Sequence, residues 1–342
     1  MKVPEYIKTI DTHTEGQPTR IVTNLASQIL GKDLVEKMNF CKENLDYLRT
    51  ALMAEPRGHK DMYGCLLTEP VSKESDYGII FMDNLGYMSM CGHGVIGVAT
   101  ALTEQKMVRT EEPITHFELD TPAGLVKVNV TMKNGRAESV RFMNVPSFVE
   151  YLDVDLEVQD LGKLKVDIVF GGNYFVFYTA DEAGLEITPQ NIEEIIDIAM
   201  KVMKSANQKY PVQHPELKHM NRINIGTITG KPKNSKANYL NVHVWGNRQF
   251  DRSPGGTGTC ARMAALHAKG QLDVNEEIWV ESLTGGLFKG KILELTKSGD
   301  KKAIIPEITG SAHITGLHQF VIKPNDSLKR GFLIMDSIFP SK

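Results

Sequence analysis

Two glycine-rich segments hold the residues of this chain whose types and spacing suit chemistry. The first runs from Cys91 to Val95 and reads C-G-H-G-V, and the second runs from Gly255 to Thr259 and reads G-G-T-G-T. An amphipathic, alanine-containing stretch follows each segment and predicts a helix. Glycines let the backbone approach a ligand closely, and a helix N-terminus offers unpaired N–H groups and a positive dipole end. Both segments therefore suit the binding of a small anion, such as a carboxylate or a phosphate.

Cys91 is the cysteine best placed for general-base or nucleophilic work. It stands immediately before the first predicted helix, where the positive end of the helix dipole stabilises a thiolate. The alternative is a small buried hydrophobic residue, which describes most free cysteines. The remaining cysteines fall inside predicted helices or strands and are expected in the core: Cys41, Cys65 and Cys260.

The glycine spacing also matches the dinucleotide-binding pattern G-x-G-x-x-G/A in both segments. That interpretation requires a βαβ unit with an acidic residue about 20 positions further on, at the end of the second strand. Asp120 stands near that distance but lies in a turn context, T-P-A-G. Two such segments would also require two cofactors, so we do not predict nucleotide binding.

Other polar residues near the two segments have alternative interpretations. Asp251 could bind a substrate ammonium group or could cap the turn and helix that follow it. His93 could orient a ligand or serve a structural role. His214 and His219 lack the spacing that places two imidazoles on one metal ion, so we predict no metal site.

Composition restricts the function classes. The chain has 342 residues and a formal net charge of −3, which gives no overall attraction to nucleic acid or anionic lipid. Its N-terminal residues form no apolar signal-peptide core, and no uncharged apolar run approaches the ~18 residues of a membrane span. We expect a cytoplasmic protein with reduced thiols.

The two segments belong to an internal repeat. Paired positions recur in the same order at offsets of 164, 162 and 163 residues: Cys91 and Gly255, Gly124 and Gly286, Asn144 and Glu307. The repeat predicts two homologous domains, residues 1–150 with the Cys91 loop and residues 151–342 with the Gly255 loop. It leaves open whether residues 311–342 return to the first domain. Strands joined by short turns in each half predict a mixed α/β fold with largely antiparallel sheets.

The motifs together resemble the proline racemase family, which includes proline racemases, 4-hydroxyproline 2-epimerases and trans-3-hydroxy-L-proline dehydratases. Four segments carry the resemblance: Asp11–Gly16 (DTHTEG), Glu55–His59 (EPRGH), Met90–Gly94 (MCGHG) and Asp251–Thr259 (DRSPGGTGT). The match extends over almost the whole chain. It implies a two-domain fold of the diaminopimelate-epimerase type, in which a curved sheet wraps a central helix in each domain. It also implies an active site in the cleft between the domains and proton transfer at Cα without pyridoxal phosphate, metal or any other cofactor.

The resemblance also implies roles for individual residues and a homodimeric assembly. Cys91 corresponds to the thiolate base. The other implied contacts divide into the carboxylate-binding loops (Gly92, His93, Gly256 and Thr257), the partners of the ring nitrogen (His93 and Asp251) and the apolar walls around the pyrrolidine ring (Tyr63, Met88 and Trp245).

One position departs from the family pattern. Racemases and epimerases of the family carry a second cysteine in D-R-S-P-C-G-T-G, where this chain has Gly255. Inversion needs one group to remove the α-proton and another to protonate the opposite face, whereas loss of a β-hydroxyl needs only one base. Gly255 therefore favours dehydration of trans-3-hydroxy-L-proline, with a water in the space left by the missing side chain. The alternatives are a racemase or epimerase that uses a water or Cys260, and an imino-acid-binding protein without turnover.

Overall fold

The computed structural model describes residues 6–334, which form two compact units. Unit 1 comprises the residues up to Val140 together with those from Ser311 onward, and unit 2 is Arg141–Gly310. The boundary on the chain therefore lies at Val140, ten residues before the division suggested by the repeat. No helix in residues 6–334 is long and apolar enough to cross a membrane.

Strands dominate the part of the chain that the structure describes. In chain order they are β1 (Tyr6–Thr14), β2 (Gln17–Val22), β3 (Tyr63–Thr68), β4 (Tyr77–Asp83), β5 (Tyr87–Met88), β6 (Ile114–Thr121), β7 (Gly124–Lys133), β8 (Arg136–Met143), β9 (Ser147–Val158), β10 (Gly162–Phe170), β11 (Tyr174–Thr179), β12 (Ile223–Gly230), β13 (Tyr239–Trp245), β14 (Gln249–Phe250), β15 (Glu277–Glu281), β16 (Leu287–Ser298), β17 (Lys301–Gly310) and β18 (Ala312–Val321). The α-helices are α1 (Leu34–Asn44), α2 (Asp46–Met53), α3 (Gly92–Glu104), α4 (Ala180–Ala183), α5 (Ile192–Lys209) and α6 (Gly256–Ala268).

Unit 1 is a curved sheet packed around α3. Its strand order is β18-β1-β2-β3-β4-β6-β7, and within it only the β2–β3 and β4–β6 pairs are parallel. Helix α3 packs against β1, β2, β7 and β18, and every residue from Gly92 to Thr103 is buried. Gly97 permits this close packing, because a β-carbon there would stand 2.5 Å from Oγ1 of Thr12.

Unit 2 closes its sheet into a ring around α6. The strand order is β9-β10-β11-β12-β13-β15-β16-β17, and β17 pairs with β9 to complete the circle. Closure removes the unpaired sheet edges. Gly171 lets the sheet approach the helix backbone, since a β-carbon there would lie 2.4 Å from the carbonyl oxygen of Thr257.

The sheet-and-helix architecture confirms the predicted fold class. The two central helices have 13 residues each, and each begins at a glycine of one of the repeated loops. Outer helices cover the sheets in both units: α1 and α2 pack on β4, and α5 packs on β12. The apolar period of α5 explains its placement, because its buried residues lie on one helical face.

Candidate active site

Cys91 is the N-cap residue of α3. Its extended backbone (φ −151°, ψ 114°) turns the side chain back over the first turn, and the sulfur accepts the backbone N–H of Gly94 at 3.3 Å. A thiolate at this position receives both that hydrogen bond and the positive end of the helix dipole. The first loop therefore places a thiol at the positive end of a helix, with one backbone N–H directed at its sulfur.

His93 pairs with Cys91 in the same turn. Its ring nitrogens Nδ1 and Nε2 lie 3.3 and 3.6 Å from the Cys91 sulfur. The main chain of His93 is fixed by Thr14, whose hydroxyl donates to the His93 carbonyl at 2.9 Å. An imidazole in contact with the sulfur can exchange a proton with it and can stabilise the thiolate when protonated.

Tyr63 lies beneath this pair and is almost completely buried. Its ring meets the His93 ring edge-on at 4.7 Å, and its hydroxyl donates to Sδ of Met88 at 3.2 Å. Burial, with a further contribution from neighbouring Cys91, raises the pKa of Tyr63 well above its ordinary value, so the phenol stays protonated. Two of the residues predicted to line the pyrrolidine ring, Tyr63 and Met88, lie in unit 1. Met88 is half-buried, and the buried Tyr63 contacts it through its hydroxyl.

The second loop is a tight turn leading into α6. The carboxylate of Asp251 accepts the N–H of Ser253 at 2.8 Å, and the Ser253 hydroxyl accepts the N–H of Gly255 at 3.2 Å. Gly255 has φ +78°, a conformation that favours glycine, and Gly256 and Thr257 form the first turn of the helix. Asp251 therefore shapes the turn that leads into α6, and it lies four positions before Gly255.

His243 is a site residue that the sequence interpretation missed. It lies on β13, two residues before the buried Trp245, and its ring packs against Gly255. A β-carbon on Gly255 would stand 2.1 Å from Nε2 and 2.2 Å from Cδ2 of His243. The expectation of a water on the side-chain side of Gly255 is therefore wrong, because an imidazole fills that volume.

The remaining cysteines are core residues, and each is fully buried. Burial raises the pKa of Cys41 to about 12 and raises the pKa values of Cys65 and Cys260 as well. Cys260 lies in the second turn of α6 and interacts with Asn144. Within residues 6–334, no group of three or more His, Cys, Asp or Glu side chains is arranged to hold a metal ion.

The fold and the comparisons define an enzyme of the class that contains proline racemases, hydroxyproline epimerases and trans-3-hydroxy-L-proline dehydratases. The structure is similar to that of a hydroxyproline epimerase from Agrobacterium vitis with bound trans-4-hydroxy-L-proline, with a TM-score of 0.92 and 28% sequence identity over 98% of this chain and 97% of that one. The chain belongs to the proline racemase family, whose model, described as Proline racemase, matches residues 9–333.

Curated relatives have more than one activity. The proline racemase of Clostridioides difficile is 46% identical over 334 residues, which cover 98% of this chain and 100% of that protein. The trans-3-hydroxy-L-proline dehydratase of Azospirillum brasilense is 40% identical, also over 98% of this chain and 100% of that protein. Family membership is therefore established, whereas the choice between inversion and elimination depends on the site residues.

Proposed function

We propose that this enzyme dehydrates trans-3-hydroxy-L-proline, with the Cys91 thiolate as its base. The observation that carries the proposal is the asymmetry of the two loops. The N-cap residue of one central helix is Cys91, whose thiol contacts an imidazole, and the N-cap residue of the other is Gly255, which has no side chain. A single proton-transfer group at Cα suffices for elimination but not for inversion by a two-base route.

Substrate binding is assigned to the helix termini. The first N–H groups of a helix have no intrahelical partner, so those of Gly92 and His93 in α3, and those of Gly256 and Thr257 in α6, are each suited to bind a carboxylate. Negative charge spreads onto that carboxylate when the α-proton leaves. Preorganised N–H donors stabilise this developing charge and lower the barrier to deprotonation.

The stereochemistry of the substrate fits one thiol. In trans-3-hydroxy-L-proline the α-proton and the 3-hydroxyl lie on the same face of the ring, because both are opposite the carboxylate. The Cys91 thiolate takes the α-proton, the electron pair forms a double bond between the α- and β-carbons, and the C–O bond breaks. The new thiol then returns its proton to the departing hydroxide as water, and the enamine tautomerises to a cyclic imine.

The test is a comparison of the two 3-hydroxyproline diastereomers. We expect imine formation, detected with o-aminobenzaldehyde, from trans-3-hydroxy-L-proline. The cis isomer is the control, because its hydroxyl lies on the face opposite the α-proton, away from the thiol, and it should react far more slowly. Absence of imine from the trans isomer, together with rapid inversion of L-proline, would overturn the proposal.

Inversion of proline or 4-hydroxyproline is a second candidate function. It is supported by the 46% identity to a named proline racemase, which exceeds the identity to the dehydratase. Against it stand the glycine at position 255 and the complete burial of Cys260. Formation of D-proline from L-proline would favour this candidate.

A further inference from the structure

The imidazole of His243 stands where the second loop would otherwise place a side chain. The dihedral ψ sets the direction of a β-carbon relative to the residues that follow it. Cys91 has ψ 114° and Gly255 has ψ 103°, so a side chain on Gly255 would leave α6 nearly as the Cys91 side chain leaves α3. That position is 2.1 Å from Nε2 of His243, which is far inside van der Waals contact.

Gly94 and Gly258 support the same correspondence, because each lies three residues after the first residue of its loop. A β-carbon built on Gly94 would meet the Cys91 sulfur at 3.1 Å. A β-carbon built on Gly258 would meet Cε1 and Nε2 of His243 at 2.2 and 2.5 Å. The nearest atom to the Gly94 β-carbon is Cε1 of Phe81 at 2.6 Å, and Phe81 holds the strand position in unit 1 that His243 holds in unit 2. The imidazole therefore extends from that strand position into the space beside the first helical turn that the thiol takes in unit 1.

Hydrogen bonds within unit 2 use both nitrogens of this imidazole. Nε2 lies 2.9 Å from the carbonyl oxygen of Pro254, which can only accept, so Nε2 bears the proton. Nδ1 lies 2.8 Å from Oγ1 of Thr227 and accepts its hydroxyl proton. The ring is 2% exposed, and the ring of Phe175 packs against it edge-on. Both the proton and the lone pair are thus engaged inside the protein.

We propose that His243 determines the reaction outcome by filling the second-base position with an imidazole that does not exchange protons with the substrate. The inference rests on the proposed function, because it takes Cys91 as the working base. His243 is a positioning residue: its bond to Pro254 holds the turn in which Gly255 has a positive φ. The second loop then offers the substrate no proton-transfer group.

The experiment uses four proteins: wild type, Gly255→Cys, His243→Val and the double variant His243→Val/Gly255→Cys. Each is incubated with L-proline in D2O, and both α-deuterium incorporation and D-proline formation are followed. We expect exchange without inversion in wild type and in His243→Val. Gly255→Cys alone should not invert, because its side chain meets the imidazole. The double variant should gain inversion, with the ratio of inversion to exchange rising at least tenfold.

Two results would overturn the inference. One is inversion by wild type that disappears in His243→Val while exchange continues, since the imidazole would then carry a proton itself. The other is a folded double variant that exchanges but does not invert. Absence of any exchange in wild type would instead contradict the proposed role of Cys91, so the two failures are distinguishable.

A second pair of variants tests the clash between a side chain at position 255 and the imidazole, even if His243→Val/Gly255→Cys does not fold. Gly255→Ala is made with His243 present and with His243→Val, and the urea midpoints are compared. The backbone cost of alanine at positive φ is common to both proteins, so the difference reports the clash with the ring. We expect alanine to lower the midpoint less in the valine background, and equal shifts would overturn the inference.

Discussion

Both ring nitrogens of His93 lie within 3.6 Å of the Cys91 sulfur, at 3.3 Å for Nδ1 and 3.6 Å for Nε2. The two residues share one turn at the start of α3, so local backbone geometry brings them together. The turn thus brings a thiol and an imidazole into contact. The acid–base role that we propose for the first loop rests on this pairing.

Replacement of Cys91 tests the base directly. Cys91→Ser keeps a hydrogen-bonding atom at the helix terminus but replaces the thiol with a much weaker acid, so α-proton exchange should fall by about 10²–10⁴-fold. Exchange of the α-proton of L-proline in D2O measures the effect. Cys41→Ala is the matched control, because Cys41 is a core thiol in the same unit. The folded Cys41→Ala protein should exchange the α-proton of L-proline at the wild-type rate. Comparable losses in both variants would contradict the assignment.

The neutral state of His243 predicts a pH dependence of stability. Burial lowers the pKa of His243 in the folded protein, an effect that Arg262 reinforces and Asp251 opposes. In the unfolded chain the imidazole titrates near its ordinary pKa of about 6.5. Below that pH the unfolded state binds more protons, so the free energy of unfolding contributed by His243 declines as the solution becomes more acidic.

The measurement compares wild type with His243→Val by urea denaturation at pH 7 and pH 5. The stability advantage of wild type should shrink by about 1 kcal/mol between these pH values, within the limit of about 1.4 kcal/mol per pH unit. His214 also has a pKa lowered by burial, but it is present in both proteins and its contribution cancels. A constant difference between the two proteins would show that His243 does not titrate differently on folding.

Close packing against α6 predicts the effect of Gly171→Ala. A β-carbon there would lie 2.4 Å from the Thr257 carbonyl oxygen and 2.7 Å from the Ala261 nitrogen, and backbone atoms of a helix cannot move aside easily. We expect a loss of roughly 1–3 kcal/mol in the free energy of unfolding. Gly86→Ala is the control, because no atom lies within 4 Å of its added β-carbon, and its effect should stay within about 0.5 kcal/mol. Equal urea midpoints for the two variants would contradict the packing argument.

The buried ion pair between Arg20 and Asp11 predicts a large effect of Asp11→Ala. The Arg20 guanidinium donates to Asp11 at 2.8 Å and to the Leu52 carbonyl at 2.7 Å, with both charged side chains largely shielded from solvent. Removal of the carboxylate leaves a buried charge without its counterion, which should cost about 3–5 kcal/mol of unfolding free energy.

An exposed ion pair provides the matched control. Glu138 lies 3.4 Å from Lys133, and both side chains are more than half exposed, so Glu138→Ala should cost less than about 1 kcal/mol. Chemical denaturation of both variants gives the comparison. Similar losses for Asp11→Ala and Glu138→Ala would show that burial does not strengthen the first pair.

Most of the fold can be predicted from the sequence because the fold consists of two repeats. A constant offset between the Cys91 and Gly255 loops already implies two equivalent helices, and short turns between strands imply curved antiparallel sheets. The outer helix of unit 1 is less predictable. Its sequence indicates one continuous helix, whereas the structure divides it into α1 and α2 at Leu45, which has φ −123°. No glycine or proline marks that break.

The candidate site is only partly contained in the sequence motifs. Cys91 and His93 meet within one turn, so their pairing follows from local geometry. His243 precedes Gly255 by 12 positions and reaches it only because β13 passes under the start of α6. The repeat offered one signal for His243. Phe81 holds the equivalent strand position in unit 1 and packs against Gly94, so a histidine at that position in unit 2 would be expected to pack against the second loop. The space available to a side chain at Gly255 depends on this tertiary neighbour.

The most direct test of the one-thiol account is the ratio of inversion to α-proton exchange when wild-type enzyme acts on L-proline in D2O. The account predicts deuterium at the α-carbon of L-proline with D-proline at or below a tenth of the exchanged product. Formation of D-proline as fast as deuterium enters the α-carbon would contradict it, because inversion at that rate requires a second proton-transfer group.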